Sequence, residues 1–390
     1  MEKILIIEPK LIHWTTVEPL IVCYLKKGWK VEIFIPHQFL SIYNYYSKVH
    51  HLENYSHQIE LIPYNTRNIF RLLFKSSPKI SIVANRFFLE KPNKLPFFHQ
   101  LFEFFQIFTR SILKILLLKI RLKNSFFIIT THFVDVTNIP KRSLTLNKTV
   151  DSLLGYMWKK SKEFSKGINV YSSLVKKNLD NIDNKSVFVA PNAIYRYDGG
   201  KINLNDHKKL VIVIPGRIDK RRRYYSWINK IDSQLSKNFD IRFIGKANSQ
   251  DDIFIIRELE KLGFPQFVKK INEFISFSQF DKFLEQADIL FVPIVDLKNP
   301  KRQIDRNLGA FFDSVRYGKP LIIPSSMPIP DELKDSLITY ENDSDLIRLL
   351  KKIKSNPNYL HNIKEKAHVN SKNWLYENIK FFDHVEKKLI

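Results

Sequence analysis

The chain has 390 residues, too many for one ordinary core and enough for two domains that each bury a substantial interior. Its single cysteine, Cys23, lies in an apolar stretch; this excludes an intramolecular disulfide and a cysteine-built metal site, and Cys23 reads as a small buried hydrophobe. Lys and Arg outnumber Asp and Glu by 63 to 39, and the net charge of +24 suits an anionic partner (nucleic acid, an anionic membrane or a phosphorylated small molecule) as well as it suits a plain compositional bias toward Lys, Asn, Ile and Phe.

The opening "MEKILIIEPK" turns polar after a short apolar run and lacks a small-residue cleavage site, so it reads as a first strand and not as a signal peptide. Further apolar runs, "KVEIFI", "KISIVA", "SFFIIT", "GINVYS" and "SVFVA", alternate with amphipathic stretches. This βα rhythm predicts a mostly parallel sheet covered on both faces. The apolar segment 97–129 is broken by Arg110, Lys114, Lys119, Arg121 and Lys123, which argues against a spanning helix and for a cytoplasmic protein. Two readings of 97–123 stay open: a sheet-covering helix with its charges in water, or a basic amphipathic face at an anionic membrane, peripheral at the inner side of the cell membrane.

After the polar stretch around Gly199 and Gly200 the rhythm restarts with "KLVIVI", "DIRFIG", "QFVKK", "ADILFVPI" and "KPLIIP". The expected organisation is an N-terminal Rossmann-like domain over 1–198, a C-terminal one over 199–370, and a helix over 371–390 that packs on either half. Two doubly wound parallel-sheet halves facing each other leave a cleft at the carboxyl ends of their strands. The one Asp-x-Asp, Asp343 to Asp345, stands directly before "LIRLLKKI" and reads as a helix cap, not a metal site.

The second half places scarce glycines at strand ends: Gly216, Gly245, and Gly309 and Gly318 on either side of a helix over 308–317. Gly216 leads into "RIDKRRRYY", where cations beside helix amides suit a diphosphate; a solvated basic run is the competing reading. The run "KRRRYYSWINK" also admits a base-stacking surface for nucleic acid, although no recognisable nucleic-acid module accompanies it. In "DRNLGAFFDSVRYGKP" the apolar face is Leu308, Phe311, Phe312 and Val315. Asp305 precedes the helix as a cap or a sugar ligand, and Asp313 lies off the stripe as a ribose ligand or a surface residue.

Four motifs in order, "VAPNAIY", "IPGRIDKRR", "QADILFVPI" and "DRNLGAFFDSVRYGKPLIIPS", resemble the nucleotide-sugar domain of GT-B glycosyltransferases, most closely glycosyltransferase family 4. The resemblance implies two Rossmann-like domains and a retaining transfer of sugar from a UDP- or GDP-linked donor to a hydroxyl of a glycan or lipid-linked saccharide. It implies no metal, no further cofactor and no nucleic-acid partner. Position by position, Gly216, Arg217 and Arg222, with Arg221 as an alternative, correspond to the phosphate loop; Asp305 corresponds to the acid beside the donor sugar and Asp313 to the ribose acid. The amides of Leu308 and Gly309 would face the departing phosphate, and His132, ending "IITTH", would touch the sugar. Both acids are glutamates in the family and aspartates here. A catalytically silent GT-B binding protein is the alternative that this departure permits, and Lys10, His13 and Glu18 are further polar candidates in the first loop.

Overall fold

The computed structural model describes residues 1–8, 14–37, 40–84, 109–122, 125–130, 156, 159–161, 163–170, 173–179, 186–189, 209–216, 224–273, 275–293 and 309–387. The chain divides into two compact units. One comprises Met1–Tyr171, Val175–Asn192 and Asn378–Ile390, the other Ser172–Leu174 and Ala193–Glu377.

The first unit is built on seven parallel strands: β1 (Lys3–Ile7), β2 (Lys30–Ile35), β3 (Ile59–Pro63), β4 (Ile80–Ala84), β5 (Phe126–Thr130), β6 (Gly167–Val170) and β7 (Ser186–Val189). Their spatial order is β3-β2-β1-β4-β5-β6-β7, and every pairing is parallel. The sequence forces this arrangement. Runs such as "KILII" and "KVEIFI" are buried along nearly their whole length, as strands covered on both faces must be. Parallel neighbours need crossovers, supplied among others by α1 (Trp14–Lys26), α2 (Leu40–Val49) and α3 (Thr66–Leu73). Asn65 caps α3 by accepting the Asn68 N–H at 2.8 Å. A helix over 109–122 precedes β5, and its last stretch, Leu118–Leu122, widens to π geometry.

That helix corrects one expectation. Lys114 and Arg121, counted with the cations of a basic face, are each about 1% exposed. Arg121 reaches inward to Glu32 on β2 at 2.5 Å and donates from Nε to the Ser76 carbonyl; the Lys114 ammonium stands 5.7 Å from the Tyr64 ring centroid. Glu32 sits in the middle of an apolar sheet, and such a carboxylate is tolerated only with a charged partner.

The second unit carries β8 (Leu210–Ile214), β9 (Phe239–Phe243), β10 (Ile289–Phe291), β11 (Leu321–Pro324) and β12 (Leu337–Tyr340), in the order β12-β11-β10-β8-β9 with all pairings parallel. Its helices are α4 (Tyr224–Ile228), α5 (Ser233–Asn238), α6 (Gln250–Lys261), α7 (Phe277–Gln286), α8 (Gly309–Tyr317), α9 (Asp343–Ser355) and α10 (Pro357–Lys387), of which residues from Asn378 group with the first unit. One core runs through the unit, from Ile212 and Ile214 on β8 and Phe291 on β10 to Leu346 and Leu350 on α9. Asp343 and Asp345 form the first turn of α9, behind an Asn342 cap that accepts the N–H groups of Ser344 and Asp345.

The expected strand "QFVKK" is absent. In its place the buried side chain of Gln266 lies along the edge of β9, accepting from the Phe243 N–H at 3.0 Å and donating to the Ile241 carbonyl at 2.6 Å. One side-chain amide thus satisfies two of the backbone groups that a further strand would pair there.

Candidate functional site

The order of the second sheet reverses between β8 and β10. From β8 the chain moves to β9 on one side, and later elements build outward from β10 on the other. In such a sheet ligands bind outside the carboxyl ends of the strands flanking the reversal. β10 is wholly buried, β8 is buried from Val211 on, and the two are locked together: Ile289 lies opposite Ile212, the Asp288 N–H donates to the Val211 carbonyl, and the Asp288 carboxylate accepts the Val211 N–H at 2.8 Å. Lys364 on α10 neutralises that buried carboxylate at 2.5 Å. The "AD" of "QADILFVPI" is therefore a structural clamp at the opposite, entering end of the strands.

At the carboxyl end, β8 runs through Pro215 into Gly216, whose φ of 89° lies in the left-handed region that favours glycine. This is the turn into the basic loop. The helix beyond it, α4, is held by Trp227, buried to about 1% and packed edge-on against Phe291 of β10 at 5.3 Å. Trp227 is thereby removed from the base-stacking surface that the sequence also allowed.

The acid helix α8 starts at Gly309. Every residue from Ala310 to Tyr317 is buried, because Phe311, Phe312 and Val315 pack inward and Phe312 meets Trp374 of α10 at 6.4 Å. Trp374 is itself fixed by donating its indole N–H to the Glu332 carbonyl. The helix stops at Gly318, φ 60°, in a Schellman closure: Gly318 N–H to Val315 O and Lys319 N–H to Ser314 O, followed by Pro320. Gly309 is different, since its φ is not in the left-handed region and an added Cβ would meet no described atom within 4 Å.

Asp313 is not a surface residue. It is 8% exposed, and its Oδ1 lies 4.0 Å from Nη1 of Arg316, which is 1% exposed. Arg316 went unnoticed in the sequence; its position one turn after Asp313 on the same helix was the available signal. Behind the helix, Lys319 donates to the Glu285 carbonyl at 2.7 Å, and burial, aided by the Lys364 charge, pushes its ammonium down to about 8.

Of the residues singled out in the sequence, the structure places Gly216 after β8, and Gly309 and Asp313 on α8, which follows β10. Arg217, Arg221, Arg222, Asp305, Leu308 and His132, and likewise Lys10 and His13, lie outside the described residues. Glu18 is an interior residue of α1, buried and paired with His50 Nε2.

No protein-family model and no curated protein matches the sequence. Solved structures do match over nearly the whole chain. HepE of Anabaena, in complex with UDP and glucose, aligns over 99% of this chain and all of its own, with 10% identity and a TM-score of 0.56. A glycosyltransferase from Rickettsia africae covers 99% of both chains at 14% identity, also with a TM-score of 0.56. The fold is GT-B. Another GT-B neighbour is a putative UDP-N-acetylglucosamine 2-epimerase from Listeria monocytogenes, with 10% identity, 95% and 94% coverage and a TM-score of 0.52. GT-B architecture is thus shared by proteins described as doing different chemistry, and the activity must be argued from the site.

Proposed function

We propose that the chain is a glycosyltransferase that moves a sugar from a UDP- or GDP-linked donor to a hydroxyl of a glycan or lipid-linked saccharide, with retention and without a metal. One observation carries the reading. The left-handed Gly216 turn and the acid helix α8 follow β8 and β10, the two neighbouring strands that flank the reversal of the second sheet. Support comes also from the UDP and glucose named with the HepE structure and from the glycosyltransferase of Rickettsia africae.

In this reading the departing diphosphate needs its developing charge met by fixed donors. Arg217 and Arg222 of the basic loop, with Arg221 beside them, and the amides of Leu308 and Gly309 supply those donors. Asp313 takes the ribose hydroxyls, its carboxylate oriented by Arg316. Asp305 and His132 contact the sugar. Retention follows if the acceptor hydroxyl attacks on the face from which the phosphate leaves and gives its proton to that phosphate.

A thermal-shift series with UDP, GDP, ADP and their sugars tests this on the wild type, Asp313→Ala and Arg217→Ala. A nucleotide should raise the wild-type melting temperature and leave both variants unmoved. No response from the wild type, or equal responses from all three, overturns the site. Release of free nucleotide only when a saccharide acceptor is added distinguishes a transferase from a silent binding protein.

A further inference from the structure

In the first unit, α3 and the helix over 109–122 pack on one core: Ile69 and Leu72 from the former, Leu117, Leu118 and Leu122 from the latter. Lys114 lies against Tyr64 just ahead of α3, and Arg121 donates to Ser76 just beyond it. The two helices therefore run alongside one another in the same direction. Their outward faces are unusual. Phe70 and Phe74 of the α3 turn region are 50% and 75% exposed, and their rings pair edge-on at 5.0 Å. On the neighbouring helix Ile112, Leu116 and Ile120, spaced four apart, are 41%, 39% and 51% exposed. These five make up a large share of the thirteen exposed large apolar residues among those described, so the exposure is concentrated and not scattered.

Charge on the same faces has one sign. Arg67 and Arg71 alternate with the phenylalanines on α3, and Lys119 adjoins Ile120; all three are exposed. Residues 61–80 and 104–134 contain no Asp or Glu. We propose that this paired-helix face docks the protein on an anionic lipid bilayer, with the apolar side chains entering the acyl boundary and the cations meeting headgroup phosphates. Nucleic acid would meet the cations and leave the five apolar groups in water. A bilayer accommodates both along one plane. Among the described residues no helix is long and apolar enough to cross a membrane, and the proposed attachment is at the surface. The inference does not rest on the glycosyl-transfer reading.

The test is co-sedimentation of the full chain with vesicles of phosphatidylcholine alone and with added phosphatidylglycerol. The wild type should pellet with the anionic vesicles, less so as salt rises, and stay in solution with the neutral ones. Phe70→Ser/Phe74→Ser should weaken binding by at least about tenfold, and Arg67→Glu/Arg71→Glu by more than about a hundredfold. Phe74→Ser alone, at a site three-quarters exposed, keeps the test valid should a double variant fail to fold. No pelleting, equal pelleting with both vesicles, or variants that bind like the wild type would overturn the proposal. So would a wild-type dimer that the same substitutions dissociate. Nucleotide-dependent thermal shifts should be unchanged in every variant, which keeps this result separate from the donor site.

Discussion

Asp313 and Arg316 stand one turn apart on a helix that is buried along its length, with Oδ1 and Nη1 4.0 Å from each other and both side chains nearly closed to water. Removing the carboxylate takes a negative charge away from the enclosed guanidinium of Arg316. Asp313→Ala should therefore lower unfolding free energy by roughly 1–2 kcal/mol in urea denaturation. Asp313→Asn, which keeps the shape and can still accept a hydrogen bond, should cost less while losing most of the nucleotide response. Equal loss of stability in both would mean that the charge does not matter there.

Gly309 gives the opposite combination. Neither its backbone angle nor its surroundings among the described residues demand glycine, so Gly309→Ala should leave stability unchanged or raise it by about 0.5 kcal/mol. If a donor phosphate approaches this backbone, the same methyl group should weaken nucleotide binding in calorimetry. A variant that is both as stable and as tight as the wild type removes Gly309 from the site.

Glu32 and Arg121 form a pair at 2.5 Å with each side chain 1% exposed. Arg121→Met removes the hydrogen-bonded partner of the buried Glu32 carboxylate and leaves it, among the described residues, only the Lys3 and Lys75 ammonium groups at 3.8 Å, which should cost about 2–3 kcal/mol. The double variant Glu32→Met/Arg121→Met should recover part of that loss. A double-mutant cycle with additive effects would show that the charges are not coupled.

Lys319 carries a pH signature. Burial lowers its ammonium from 10.5 to about 8, so the folded state holds this proton less tightly than the unfolded chain. Its contribution to stability therefore improves as pH rises from about 8 toward 10.5 and is flat and unfavourable below about 8. Lys319→Met loses the bond to the Glu285 carbonyl at every pH but also loses this penalty. Its stability relative to wild type should be highest at pH 7 and decline steadily above pH 8, as read from denaturation midpoints; a pH-independent difference would contradict the burial effect.

Gln266→Leu should destabilise by about 2 kcal/mol or more, because it leaves the Ile241 carbonyl and Phe243 N–H without their partner. Nucleotide shifts should persist in this variant, since the residue lies against the outer strand β9 and not at the strands that flank the reversal.

Strands with continuous apolar runs were legible in the sequence because burial on both faces leaves no other composition available. The edge strands β3, "IELIP", and β12, "LITY", were not: each has a single neighbour and a burial pattern broken by exposed or half-buried positions. "QFVKK" carried a strand-like composition, yet a glutamine side chain took the edge first. The boundaries of α8 were readable from Leu308 to Gly318. The burial of Asp313 was not, because the residues enclosing its helix, Trp374 above all, arrive from far along the chain. Lys114 and Arg121 looked like surface charges for the same reason, since Glu32 lies 89 residues before Arg121.

The amide that closes β9 has a consequence for the molecule in a crowded solution. A sheet edge with open N–H and C=O groups recruits extended segments from other chains. At β9 the Ile241 carbonyl and the Phe243 N–H are already engaged by Gln266, and Arg242 between them is tied to Asp240 and Gln286. An incoming strand finds these two hydrogen-bonding groups already taken, so pairing with a neighbour at this edge of the described sheet is weakened where Gln266 lies.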